Sequence, residues 1–118
     1  MLLKIVIPDL PPSVNVLYKR TRKGGLYVNP KVTAFKELVK QNLPDDTVCE
    51  PVKLLKLDIT FNGCKHRSDL DNFCKVLLDS MNKLVYADDK QIYQIVATKV
   101  LGQDKQTTVI VSDYLDTV

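Results

Sequence analysis

The sequence predicts one small α+β domain spanning residues 1–118, with a mixed or antiparallel sheet of about four strands and two main helices. Chain length is the first reason, since 118 residues can bury one core but not two. Element order is the second: β, hairpin, α, β, α, β, β has too few alternating β-α units for a doubly wound sheet. Composition is that of an ordinary globular protein, without the long apolar run a membrane span needs.

The elements follow in order. Residues 2–7, Leu-Leu-Lys-Ile-Val-Ile, are apolar and rich in β-branched side chains, and Pro8 to Pro12 ends that strand. The prolines stiffen the loop that carries Ser13 and Asn15. Tyr18 to Val28 reads as a hairpin turning at Gly24-Gly25, with Lys19, Arg20, Arg22 and Lys23 near its tip. Asn29-Pro30 opens a helix whose apolar residues Val32, Phe35, Leu38 and Val39 recur at helical spacing through about Asn42. Residues 52–61 alternate as a strand, broken by Asn62-Gly63. From Leu70, the series Phe73, Cys74, Leu77, Leu78, Met81, Leu84, Val85 predicts a core-facing helix reaching the last of these. Strands over 92–101 and 107–115 close the chain, and no repeat or linker interrupts it.

The first apolar stretch contains Lys4 and stops at Pro8, unlike a secretory leader, so a cytoplasmic protein is expected. Cys49, Cys64 and Cys74 are odd in number and lack C-x-x-C spacing, which argues against disulfides and a zinc knuckle. A net charge of +3 does not by itself imply nucleic acid.

Carboxylates carry the functional signal. On the helix beginning at Leu70, Asp71, Asn72, Lys75 and Asp79 share the face opposite the apolar series, while Asp69 stands at its cap. Capping accounts for Asp69, and for Asp71 through the helix dipole, as readily as metal binding does. Asp88-Asp89 differs, because no local backbone rule requires two acids in that turn, although a solvated turn also accommodates them. Four carboxylates brought together would repel unless a cation neutralised them. Oxygen-only donors, without paired Cys or His, select Mg²⁺ or Mn²⁺ over zinc. A hard cation beside Lys75 is suited to phosphodiester attack, and Lys65, His66 and Arg67 could hold neighbouring phosphates. His66 reads as a loop residue in preference to a general base. The cations of the hairpin suit a solvated tip or a nucleic-acid backbone equally.

Four segments in order, Leu10-Pro11-Pro12-Ser13-x-Asn15, Asp69-Leu70-Asp71-Asn72-x-x-Lys75, Leu78-Asp79-Ser80-Met81-Asn82 and Asp88-Asp89-Lys90-Gln91-Ile92, resemble the RusA-type Holliday junction resolvases over nearly the whole chain. The resemblance implies a homodimeric α+β endonuclease, common in prophages and phages, that binds four-way DNA junctions and nicks opposed strands with Mg²⁺. By motif position it assigns metal binding to Asp69, Asp71 and Asp89, assistance to Asp88, and the catalytic lysine to Lys75. Ser68 stands where the family often has a basic residue or proline, which shifts the local phosphate contact onto Arg67. A non-catalytic protein that binds branched DNA is the rival expectation. D-x-D also occurs in phosphatases and nucleotide-sugar transferases, but at strand ends of larger α/β domains.

Overall fold

The computed structural model describes residues 3–13, 18–20, 24–44 and 53–114. Among the described residues, six strands and two helices occur in the order β1 (Leu3–Ile7), β2 (Tyr18–Arg20), β3 (Leu26–Val28), α1 (Pro30–Gln41), β4 (Leu55–Cys64), α2 (Leu70–Met81), β5 (Ile92–Leu101) and β6 (Gln106–Asp113). A single 3₁₀ turn, Asp89–Gln91, precedes β5. The strands β2 and β3 pair as the expected hairpin, Lys19 opposite Tyr27. Its tip at 21–23, which holds Arg22 and Lys23, lies outside the described residues, as do Asn15 and Cys49.

The main sheet is mixed, in the order β1-β6-β4-β5. β6 runs antiparallel to both β1 and β4, and β4 runs parallel to β5. That parallel pair demands a crossover, and α2 provides it. Rows of side chains cross the sheet in register: Ile5, Val109 and Ile59 form one, and Ile7, Thr107 and Phe61 the next. All six are fully buried. Against this face pack Val32, Phe35 and Val39 of α1 and Phe73, Val76, Leu77 and Met81 of α2. The domain is therefore a two-layer α+β sandwich with helices on one face.

β4 starts at Leu55 and β6 ends at Asp113, inside the expected 52–61 and 107–115, and two further boundaries differ for a visible physical reason. β4 continues through Asn62-Gly63 to Cys64, because Gly63 takes φ +81° at a register shift between Asn62 and Cys64. Glycine tolerates that backbone, and a Cβ there would stand 2.5 Å from the Asp104 carbonyl oxygen. The helix from Leu70 stops at Met81, short of Val85. Lys83 at φ +66° turns the chain, and the Leu84 and Val85 N–H groups both donate to the Met81 carbonyl. Val85 stays buried, so apolar spacing persisted through a turn that is not helical.

No helix among the described residues is long and apolar enough to cross a membrane.

Candidate active site

Asp69 caps α2 as its spacing suggests, its Oδ1 accepting the Asn72 N–H at 3.2 Å and its carbonyl the Phe73 N–H at 3.1 Å. Extended backbone at the cap (φ −91°, ψ 100°) leaves the carboxylate at the surface. Asp71 and Lys75 are also exposed, one turn apart on the same face. The preceding turn is closed in both directions: the Lys65 N–H donates to Ser68 Oγ, and the Ser68 N–H to the Lys65 carbonyl, each at 3.0 Å. Lys65, His66 and Arg67 project from it into solvent.

Lys99, which no motif singled out, braces this turn from β5. Its ammonium donates to the carbonyls of His66 at 2.9 Å and Ser68 at 3.0 Å, fixing the approach to Asp69. A half-buried lysine in a strand gives no sequence signal for such a role.

The second acidic pair is built differently. Asp88 caps the turn Asp89–Gln91 and accepts the Lys90 N–H at 2.9 Å. Gln91, almost fully buried, accepts the N–H groups of Ala87 at 2.9 Å and Asp88 at 3.1 Å through Oε1. Its Nε2 donates to the Lys53 carbonyl at 3.1 Å, anchoring the acidic turn to the strand-leading segment. The Lys90 N–H and a hydrogen bond from Asp89 hold the Asp88 carboxyl below the usual carboxylate range. That shared bond raises Asp89, helped by burial and by the negative charges of Asp88 and Asp79. Nearby, burial pushes the Tyr86 hydroxyl well up, reinforced by the charges of Asp89 and Asp79. That hydroxyl donates to the Leu78 carbonyl at 2.7 Å.

The two pairs sit toward opposite ends of α2: Asp69 and Asp71 at its start, Asp88 and Asp89 with Asp79 at its finish. Twelve residues make that helix about 18 Å long. Among the described residues, no three of His, Cys, Asp and Glu lie together so as to hold one ion. The donors nevertheless have the chemistry a hard divalent cation requires, carboxylate oxygens at the surface. Of the basic candidates, Lys65, His66 and Arg67 adjoin Asp69, while Lys19 and Arg20 lie on β2 away in sequence.

An open cleft of about 570 Å³ adjoins the Asp69 end. One wall is the proline loop, tied down where the Thr107 hydroxyl donates to the Asp9 carbonyl at 2.8 Å.

Surface carboxylates in pairs, flanked by lysines on a small α+β frame, are groups of the kind that metal-assisted phosphodiester hydrolysis uses. The family model for endodeoxyribonuclease RusA matches residues 9–112 of the 118. This chain belongs to the RusA endodeoxyribonuclease family, whose general activity is on Holliday junctions. No curated protein matches the chain significantly.

Proposed function

We propose that this protein resolves four-way DNA junctions by Mg²⁺-dependent, paired phosphodiester hydrolysis as a homodimer. The observation that carries the reading is the pair of exposed acidic groups, Asp69 with Asp71 and Asp88 with Asp89, in a chain of this nuclease family. Asp69, Asp71 and Asp89 would hold the cation, with Asp88 beside them. A bound Mg²⁺ supplies Lewis-acid stabilisation and a more acidic water at the scissile phosphate.

The chain's own groups do the rest. Lys75, exposed one turn from Asp71, offsets charge that builds on the phosphate oxygens. Lys65 and Arg67 bind backbone phosphates beside Asp69, on a turn that Lys99 holds rigid. Asn15 and the hairpin cations Lys19, Arg20, Arg22 and Lys23 extend the contact along the DNA arms.

Dimerisation has its support in β5. This ten-residue strand forms an edge of the sheet, yet exposes Tyr93 (60 %), Leu101 (58 %), Ile95, Val96 and Val100. A long apolar edge without proline invites strand pairing. Two β5 strands joined antiparallel about a two-fold axis set the start of each against the end of the other. Asp88 and Asp89 precede the start of β5, and Lys99 near its end reaches the turn before Asp69. Each site would then draw its carboxylates from both copies, in two equivalent centres matching the two scissile strands.

The test is cleavage of a synthetic four-way junction with and without Mg²⁺, by wild type and Asp71→Asn. The reading requires paired nicks from wild type with Mg²⁺ and none from the variant, with junction binding retained. Equal cleavage by the variant would sink it. Binding without nicks at any Mg²⁺ or Mn²⁺ concentration would make the protein a non-catalytic branched-DNA binder.

A further inference from the structure

We infer that the cleft beside Asp69 is a receptacle for one unstacked nucleotide of the bound DNA, an inference that rests on the DNA-cleaving reading above. The cleft, about 570 Å³, is within the size range of sites that enclose small organic ligands. Its lining combines two chemistries. Leu10, Pro11 and Leu38 give it an apolar wall, and Phe73 is braced there by Phe61, ring centroids 5.3 Å apart. Lys31, Lys65 and Lys105 reach it from three separate elements: α1, the turn before α2, and the loop between β5 and β6.

Among the described lining residues the single acid is Asp9, whose carboxylate is engaged by the Leu10 N–H at 2.8 Å. An apolar wall ringed by ammonium groups complements a base and sugar attached to phosphate; it does not complement a cation or an acidic metal complex. Position adds to this. Ser68 lines the cleft and directly precedes Asp69, and Phe73 accepts its place through an N–H bond to the Asp69 carbonyl at 3.1 Å. A strand laid across Asp69 therefore has its neighbouring nucleotide over the opening.

The consequence is a source of selectivity for branched DNA. Extruding a base from an intact duplex costs stacking and pairing, whereas at a branch point that cost is already reduced. A cleft that accepts an extruded nucleotide favours the branch without reading sequence.

The experiment places 2-aminopurine singly at each position around the branch of a four-way junction, with Ca²⁺ replacing Mg²⁺, and follows fluorescence and gel mobility in the same samples. Wild type is expected to bind and to brighten one position several-fold. Ala34→Trp fills the cleft from the exposed surface of α1 and should abolish that signal while the junction remains bound. The double variant Lys31→Ala with Lys105→Ala, which leaves the core intact, should weaken the signal and decides the matter if Ala34→Trp does not fold. Binding without brightening at any position, or a signal unchanged in both variants, overturns the receptacle and leaves the nuclease reading standing. Wild type that neither binds nor, with Mg²⁺, cuts the junction overturns the nuclease reading and this inference with it.

Discussion

Replacing Gln91 with alanine should damage both stability and cleavage, although Gln91 is not one of the acidic residues. Its side chain hydrogen-bonds to the backbone of Ala87, Asp88 and Lys53 from a nearly buried position. Each contributes about 1 kcal/mol net, and the partners are only part-buried, so water recovers some of the loss. The expected cost is about 2–3 kcal/mol. An unfolding entropy of roughly 2.1 cal/mol/K per residue gives about 0.25 kcal/mol/K for this domain, and hence a Tm lowered by about 8–12 °C. Because the same bonds orient the Asp88–Asp89 turn, the Mg²⁺ concentration needed for half-maximal junction cleavage should rise as well. Gln91→Glu keeps an acceptor toward Ala87 and Asp88 but turns a charged oxygen onto the Lys53 carbonyl beside two further carboxylates, and should lower the Tm at least as much as Gln91→Ala. Thermal unfolding and a Mg²⁺ titration of cleavage measure the two effects. A Tm for Gln91→Ala within about 4 °C of wild type, together with an unchanged Mg²⁺ requirement, would show that Gln91 does not hold the acidic turn.

Further expectations concern other parts of the frame. Gly63→Ala forces a Cβ against the Asp104 carbonyl at a positive φ, so urea unfolding should register a loss of about 2–4 kcal/mol; a loss below about 1 kcal/mol would contradict the described turn. Val96→Lys with Leu101→Lys should convert a dimer to monomer in sedimentation velocity and abolish cleavage while leaving the fold intact by circular dichroism, since both side chains face solvent in one chain. Persistence of the dimer would exclude the β5 edge as the interface. Lys99→Met removes the bonds to the His66 and Ser68 carbonyls and should slow cleavage more than Lys90→Met, whose lysine is exposed; equal rates would deny Lys99 its bracing role. Burial raises the thiols of Cys64, where Lys99 and a Val100 backbone contact partly oppose it, and of Cys74, where Asp71 adds to it. Because the folded values lie above the unfolded ones, the stability these thiols contribute is complete below about pH 9 and is lost as pH rises through the folded values. Iodoacetamide at pH 8 should therefore label both far more slowly in the native protein than in urea, with peptide mass spectrometry as the readout; equal rates would contradict the burial.

Apolar periodicity and chain length were enough to define the α+β class, both helices and the principal strands, because burying one face of each element is a local demand written into residue spacing. Asp69 as a cap was legible for the same reason. The end of α2 was not, since Val85 is buried by a turn at Lys83 whose positive φ depends on the fold around it. Nor could spacing reveal that β4 bulges through Gly63, a matter of how closely the Asp104 loop approaches. The acidic residues divide along the same line. Their identity, and the hard-cation chemistry it implies, belongs to the sequence. Their arrangement belongs to the tertiary structure, where a twelve-residue crossover helix separates Asp69 and Asp71 from Asp88 and Asp89. Lys99, the bond that ties Gln91 to Lys53 and the lysine-ringed cleft emerged only there, because each unites residues distant in the chain and leaves no periodic trace in it.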